Sequence, residues 1–368
     1  AFDKIAAMAA IATITDVVDL TGDNRNIYRY GISQIASGHM TAGLTILARH
    51  VQPGLILSEG DIGFKIGPVI NAPGRIYDKG AEEAFALLVS ENYDAAELQL
   101  QSLLVINEER KEMKKRACER AKGQIASKHM DADNPIVIID PETKEGIVGL
   151  VAGEICEEYN VTTIVLTETE DGYKGSARAA DGDSIIGILD ALYGEHPEYF
   201  LAYGGHPGAA GLSIKKEFID DFKKAISSIM GPKLNLTKAL EYDLEIQVEE
   251  IPDMMEELKK YAPYGNGNKA PVFLIRNFRL TPKDNLFFKF MGEDSIRLHG
   301  NGCNAIGFGF RDKFAGNYPS VVDLVGTLSE NRFMRKVENQ IEILDLHVPE
   351  TEQACSLLDA ITKALEDL

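Results

Sequence analysis

Along this chain the spacing of apolar positions changes, and each change predicts a different kind of structure. Residues 1 to about 80 alternate helical patterns with Gly and Pro punctuation at Gly22, Gly31, Gly38, Pro53, Gly60 and Pro68 to Gly74. From Ala81 to His129 there is no proline, and Leu98, Leu103, Val105, Ile106 and Met113 recur at roughly helical intervals among Glu and Lys. One long helix or two abutting helices with a charged, exposed face is predicted there. Such a segment suits a connector between domains, and a packed helical hairpin has nearly the same pattern.

After Asn134-Pro135 comes the apolar run Ile136 to Ile139, closed by Asp140, which reads as a buried strand. A helical pattern over Gly146–Glu158 and a second apolar run over Thr162–Thr167 complete a βαβ unit, hence a parallel sheet. Lys174–Arg178 reads as a third strand ending in a loop. Residues 184 to 201 read as a helix, followed by a Gly/His turn, a strand over Gly211–Ile214 and a helix over Glu217–Met230. Beyond Gly231-Pro232 the texture becomes short strands: Val272–Ile275, Leu286–Phe290, Ser295–Leu298, Asn304–Phe310, Val321–Leu328 and Ile341–Val348. A small barrel or sandwich follows. A five-stranded OB-type barrel is one solution of that size, and it commonly binds single-stranded nucleic acid.

At 368 residues the chain has room for two or three domains, each with its own core. No apolar run approaches the roughly 20 residues that cross a bilayer, so no membrane partner is expected. The first ten residues are apolar, but Asp3 stands where a signal peptide would be basic, and there is no initiating Met. They read as a core helix entered partway, as in a piece of a longer chain. Cys118, Cys156, Cys303 and Cys355 are far apart with no C-x-x-C pair. That argues against a zinc site or a disulfide framework and fits a reducing, cytoplasmic compartment. The formal charge of −19 opposes nucleic-acid binding by the chain as a whole, yet residues 265 to 349 hold eleven Lys+Arg against nine Asp+Glu. One mildly basic module therefore rides on an acidic body.

The densest chemistry lies in Tyr203-Gly204-Gly205-His206-Pro207-Gly208-Ala209-Ala210-Gly211. Glycine lets a backbone or phosphate approach where a side chain would block it, and His206 offers a ring nitrogen. A following helix would aim free N–H groups at an anion there. Read alone, the same residues are equally a tight turn into a packed helix. Asp16 follows an apolar stretch and precedes Val17-Val18, so it is either a metal-holding carboxylate near a rigid core or a terminus cap; Asp19 reads as structural. Arg75 follows Gly74 in a loop with little else charged, and its planar fork suits either bidentate phosphate contact or a surface ion pair. Ser176 and Arg178 share one face of a strand by period two.

Several of these segments together resemble the DHH phosphoesterases, and in particular the RecJ single-strand exonucleases, in the same order. Thr13–Leu20 resembles the fourth DHH motif. Asn24-Arg25, Gly67–Arg75, Glu145–Ala152 and Gly175–Arg178 resemble the segments that follow it in RecJ. The Gly/His turn is similar to the GGH motif of the DHH-associated domain. Ala262-Pro263-Tyr264-Gly265-Asn266-Gly267-Asn268-Lys269-Ala270-Pro271-Val272-Phe273 is similar to the approach to the RecJ OB fold. The family's first three motifs, which carry most of its metal ligands, are absent and are expected upstream of residue 1.

The resemblance implies an α/β fold comprising the end of a DHH domain (1–80), a long connecting helix (81–129), a DHH-associated α/β domain (130–231), an OB-fold β-barrel with its lead-in (232–349) and a C-terminal helix (350–368). It implies metal-dependent 5′-to-3′ hydrolysis of single-stranded DNA with two Mn²⁺ or Mg²⁺ ions, which activate water and stabilise the leaving oxygen. Asp16 would be one metal ligand and, with His206, part of the catalytic set. Arg75, Ser176, Arg178, Gly204 and Gly205 would hold the substrate and its 5′-phosphate. Ala177 and Ala179 depart from the family pattern and are expected to narrow or weaken that pocket; Pro207 and Gly208 depart from the commoner residues of the turn. In the OB region Phe287, Phe288, Phe290, Phe308, Phe310 and Phe333 offer stacking faces, at least half of them expected to be core. Arg332, Arg335 and Lys336 in a hairpin-like loop are the DNA-contact candidates. With one metal ligand, the chain is expected to bind DNA weakly and not to cleave it. The alternatives are a DHH phosphodiesterase for short oligonucleotides or cyclic dinucleotides, and a non-catalytic scaffold with replication or repair proteins as partners.

Overall fold

The computed structural model describes residues 2–232, 240–281, 286–292, 294–300, 302–311, 319–333 and 336–349; the helix expected over 350–368 lies outside them. The chain forms two compact units, one of Ala1–Thr15 with Tyr30–Leu236 and one of Asp16–Arg29 with Thr237–Leu368.

The first unit begins with helices: α1 (Phe2–Thr15), the end of α2 (Gly22–Ala36), α3 (Ala42–Val51), the single turn α4 (Glu59–Asp61), a π-helical turn at Ile62–Ile66, α5 (Gly67–Ile76), α6 (Ala81–Val89) and α7 (Tyr93–Lys128). Each start has a local cause where a side chain takes up an orphan N–H. Thr41 caps α3 by accepting from the Leu44 N–H at 3.1 Å, and Asn92 caps α7 by accepting from Ala95 at 3.0 Å. Ser90–Asn92 separates α6 from α7, so the long helical pattern resolves into two abutting helices. Of the apolar positions that suggested it, Leu103 and Ile106 are buried, whereas Leu98 and Val105 are exposed. The helix packs on α3, α5 and, further along, on α8 (Glu145–Tyr159).

A five-stranded sheet follows, built from β1 (Ile136–Ile139), β2 (Thr163–Thr169), β3 (Gly172–Arg178), β4 (Phe200–His206) and β5 (Ala209–Lys215), in the order β1-β2-β3-β5-β4. Only β1 and β2, joined through α8, are parallel; the other pairs are antiparallel. The expectation of a parallel sheet therefore holds for one pair alone, because a two-residue link from β2 to β3 cannot make a crossover. The helix expected over 184 to 201 ends earlier, as α9 (Ile185–Glu195), before Pro197, and the residues that follow enter β4. α10 (Ile219–Met230) completes the unit. Strand alternation divides the core in two. Ile136 and Ile138 pack with Ala117, Ala121 and Ile125 of α7 and with Val148 and Val151 of α8. Val137 and Ala177 pack with Ile185 and Leu189 of α9 and Phe222 of α10. Each fully buried Val, Ile or Phe contributes about 1.5–3 kcal/mol.

The second unit holds α11 (Ile251–Tyr261) and strands β6 (Leu244–Ile246), β7 (Phe273–Arg279), β8 (Phe288–Met291), β9 (Ser295–Gly300), β10 (Cys303–Gly307), β11 (Val321–Phe333) and β12 (Lys336–His347). Their order is β6-β7-β11-β12-β10-β9-β8. An antiparallel bridge from Leu280 to Gly300 carries the end of β7 back to β9, so β7, β11, β12, β10 and β9 close as a five-stranded barrel with β6 and β8 at its margins. Register shifts at Val322/Leu324 and Val325/Gly326 bend the long β11 between its two neighbours. Phe278, Ile296, Leu298, Leu324 and Ile341 fill the interior.

Within this unit the 16–29 segment is tied to the loop after α11. The Arg25 guanidinium donates to the carbonyls of Tyr261, Ala262 and Pro263 at 2.6, 2.8 and 3.3 Å, taking up acceptors left open at the helix end. Asn266 donates to Asp19 at 2.6 Å and to the Val17 carbonyl at 3.1 Å, and its own carbonyl accepts from the Leu20 N–H at 2.7 Å. Asp19 thus has the structural role its sequence context suggests.

Candidate functional site

In the first unit the candidate side chains gather through strand register. Residues directly opposite one another on paired strands share a face. Ser176 on β3 lies opposite Gly211 on β5, which lies opposite Gly204 on β4; Arg178 lies opposite Ala209, and Ala209 opposite His206. Two rows therefore cross the sheet, Ser176–Gly211–Gly204 and Arg178–Ala209–His206, with only small residues between the arginine and the histidine. At about 4.8 Å per strand the two functional ends are about 10 Å apart at their backbones. Helix α8 packs on β2 and β3, while Gly204, His206 and Gly211 are exposed. The result is an open floor bordered by Arg178 and Ser176 on one side and His206 on the other.

Several contacts hold this arrangement. Arg178 Nη1 donates to Ser176 Oγ at 2.8 Å and to the Ala177 carbonyl at 2.9 Å. The histidine turn is anchored by Ala179 N–H on the Gly208 carbonyl at 3.0 Å and Ile185 N–H on the Pro207 carbonyl at 2.9 Å. His206 Nδ1 accepts from the Gly208 N–H at 3.3 Å, which leaves Nε2 without a hydrogen bond among the described residues. At Gly205 an added Cβ would lie 2.3 Å from the Ala209 carbonyl oxygen, so only glycine allows β4 this close to β5. The Gly/His stretch is a β-hairpin on a sheet edge, with no helix after it. The helix N-terminus suggested by its glycines is absent because β5 pairs back at once.

Two further expectations change. Arg75 sits in the last turn of α5, with Pro73 inside that helix, rather than in a loop. Ala177 is fully buried against Ile164 and Leu189 on the far face of the sheet, and Ala179 packs on the same cluster. Their methyl groups therefore do not narrow the Ser176–Arg178 side. The period of two that joins Ser176 to Arg178 sends the residues between and after them to the opposite face.

Helix α8 brings Arg75 to the site. Its Gly146 meets the end of α5 so closely that a Cβ there would be 2.1 Å from the Arg75 carbonyl oxygen, and Arg75 Nη1 donates to the Gly146 carbonyl at 3.2 Å. One turn on, a Cβ at Gly149 would lie 3.2 Å from Arg178 Nη2 and 3.3 Å from Ser176 Oγ. Beside these, a cavity of about 120 Å³ is lined by Gly63, Gly67, Asn71, Arg75, Leu150 and a residue the sequence reading passed over, Arg110 of α7. Burial lowers the pKa of Arg75. Burial first, then the positive charge of Arg75, lowers those of Arg110 and Arg178. Arg110 and Arg178 thus both lie within electrostatic reach of Arg75; Glu108 acts on Arg110 at longer range, and none of the three partly buried guanidiniums forms a carboxylate ion pair among the described residues. That arrangement calls for an anion.

Asp16, in the second unit, is exposed just after α1 and has no hydrogen-bond partner among the described residues. No group of three or more His, Cys, Asp or Glu among those residues is arranged to hold a metal ion. A single carboxylate does not make a two-metal site, and no metal-dependent step is assigned to these residues.

In the barrel Phe288 and Phe290 lie across from Leu298 and Ile296 and lean on the core, Phe287 packs on it and Phe310 is buried. Phe308 alone of the described candidates is largely exposed, at 66%. Arg332 and Lys336 occupy facing ends of β11 and β12; their side chains, that of Phe333 and all of Arg335 lie outside the described residues. No described helix is long and apolar enough to cross a membrane.

Comparison with known proteins agrees with this architecture. Residues 133–231 match the DHHA1 domain family and residues 242–345 the RecJ OB domain family. The single-stranded-DNA-specific exonuclease RecJ of Haemophilus influenzae is 30% identical over 285 residues, covering 74% of this chain and 48% of the relative. That of Bacillus subtilis is 29% identical over 364 residues, covering 95% and 44%. The chain spans about half the length of the curated relatives it matches. The crystal structure of Thermus thermophilus RecJ in complex with Mg²⁺ superposes with a TM-score of 0.75 at 25% identity, covering 95% of this chain and 53% of that one; the same protein has also been solved with Mn²⁺. With a DHHA1 domain and a RecJ OB domain in succession, and a fold shared with RecJ, the chain belongs to the DHH superfamily as a RecJ-like protein.

Proposed function

We propose that this chain carries the 5′-end- and strand-binding parts of a metal-dependent 5′-to-3′ exonuclease for single-stranded DNA. The supporting observation is the convergence of Arg75 and Arg178 at Gly146 and Gly149 of α8, partly buried and without carboxylate partners. A terminal phosphate suits such a site because it carries about two negative charges and three acceptor oxygens. From there the strand would run over the Gly204–Gly211 floor toward His206, which would contact the scissile region. The names of the relatives, single-stranded-DNA-specific exonucleases, support single-stranded DNA as the polymer and exonucleolytic hydrolysis as the reaction. The RecJ OB domain match favours a long strand over short oligonucleotides or cyclic dinucleotides.

In this reading residues 1–80 end a DHH domain, 81–129 connect, 130–231 bind the substrate end and 232–349 grip the strand, with Phe308, Arg332, Arg335 and Lys336 as contacts. Asp16 is this chain's contribution to a Mn²⁺ or Mg²⁺ site, so the chain binds single-stranded DNA without cleaving it. Its acidic remainder suits basic surfaces of replication or repair proteins, and its buried thiols suit the cytoplasm.

Fluorescence anisotropy with single strands bearing a 5′-phosphate or a 5′-hydroxyl, and with duplex, tests the proposal. Salt-sensitive preference for the phosphorylated single strand, lost in Arg178→Ala, is expected. Absence of binding even at low salt would refute it.

A further inference from the structure

Helix α7 contributes a side chain to the anion site that no sequence motif marks. Arg110 lines the same cavity as Arg75, opposite Asn71 and Leu150. Arg178 and Ser176 lie beside Gly149 on the same helix as Leu150, and Arg75 links the two groups of donors: it shares the cavity with Arg110, and its charge acts on both Arg110 and Arg178. The Arg110 fork is held from behind. Its Nε donates at 3.1 Å to Asn107 Oδ1, and Asn107 is itself buried at 5% exposure.

The acids next to Arg110 make their close contacts elsewhere, although the charge of Glu108 still acts on it at longer range. Glu108 pairs with Lys111 at 2.7 Å, and Glu109 accepts from the Tyr77 hydroxyl at 3.0 Å. Further along the same helix Arg116 pairs with Glu112 at 2.7 Å and Arg120 with Asp140 at 2.8 Å. Arg110 therefore differs from both: a partly buried guanidinium, aimed into a cavity, with no carboxylate partner among the described residues. Withdrawing such a charge from water is unfavourable unless a ligand compensates it.

We propose that Arg110 contacts the terminal phosphate and helps set the preference for a phosphorylated strand end; this rests on the 5′-end reading above. An internal phosphodiester has one negative charge and two free oxygens, which a single fork satisfies. A terminal monoester has about two charges and three oxygens, which the forks of Arg75, Arg110 and Arg178 together match. Asn107 is a positioning residue that acts through Arg110.

Anisotropy on the whole chain, with otherwise identical 5′-phosphate and 5′-hydroxyl strands, tests this in Arg110→Ala, Arg110→Lys, Arg178→Ala and the same-helix control Arg116→Ala. Arg110→Ala is expected to weaken binding of the phosphorylated strand about tenfold, the loss of one charge-assisted contact, and to change hydroxyl-end binding less than twofold. Lysine restores the charge without the fork and recovers only part of the preference. If thermal melting shows that Arg110→Ala unfolds, Arg110→Gln, which keeps a polar stem beside Asn107, provides the comparison. Wild-type preference retained in these Arg110 variants but lost in Arg178→Ala overturns the role of Arg110 alone. No preference in the unmodified chain overturns the 5′-end reading and this role with it.

Discussion

Replacing Gly149 by alanine should separate stability from end recognition. The position is inside α8, where alanine is favoured over glycine by about 0.5–1 kcal/mol. In a unit of this size that corresponds to a rise in melting temperature of about 2–4 °C per kcal/mol. The new methyl, however, would lie 3.2 Å from Arg178 Nη2 and 3.3 Å from Ser176 Oγ, inside the usual 3.5–4.0 Å contact range for non-bonded carbons. Arg178 cannot simply swing away, because Nη1 is fixed to Ser176 Oγ at 2.8 Å and to the Ala177 carbonyl at 2.9 Å. A forced shift of a few tenths of an ångström takes a charge-assisted hydrogen bond to phosphate out of its narrow optimum of about 2.7–2.9 Å. Such bonds contribute about 1.5–3 kcal/mol. Partial loss predicts about tenfold weaker binding of a 5′-phosphorylated strand, with hydroxyl-end binding unchanged. Calorimetric melting and anisotropy on the same preparation measure both. A protein that keeps full 5′-phosphate preference would refute the argument that Arg178 and Ser176 act from this position; lower stability would refute the expectation that the helix preference for alanine outweighs the crowding.

Other perturbations have equally definite outcomes. Asp140 is buried; burial raises its pKa, but hydrogen bonds from Arg120, Thr143 and the Glu142 N–H outweigh this and hold it below the ordinary carboxylate value. Its stabilisation is therefore full above about pH 4 and is lost as pH falls through the lowered folded value. Asp140→Ala, which leaves Arg120 with only the longer Glu142 contact at 3.7 Å and the Thr143 hydroxyl at 3.1 Å, should destabilise by about 1–3 kcal/mol at neutral pH, and denaturant titrations of mutant and parent should converge in acid. Arg25→Ala removes three hydrogen bonds at the end of α11 and should cost about 1–3 kcal/mol, read as a lower melting temperature of the barrel unit with 5′-phosphate preference retained. Burial pushes the Cys118, Cys156 and Cys303 thiols up to about 12, 11 and 12. Iodoacetamide at pH 8 should therefore leave these three unmodified in the folded chain and alkylate them in denaturant, as mass spectrometry of the peptides would show.

Local chemistry made the modules legible in sequence. The apolar runs starting at Ile136 and Thr162, the short strands after Gly231-Pro232, and the period-two pair Ser176 and Arg178 each follow from rules that act over a few residues. The motifs that resemble RecJ gave the order of the parts. Strand direction beyond β2, the hairpin character of the Gly/His stretch and the helical setting of Arg75 were not legible, because they depend on which strand or helix returns as neighbour.

Arg110 shows the limit most clearly. In sequence it is one basic residue among many on a charged helix, and nothing within four residues distinguishes it from Arg116 or Arg120. The fold places Arg110 against α5 and α8 beside Arg75, commits its neighbouring acids to Lys111 and Tyr77, and pairs the other two arginines with carboxylates. Sequence determines which side chains can carry charge; whether a charge is neutralised or held open for a ligand depends on the atoms that long-range packing puts around it.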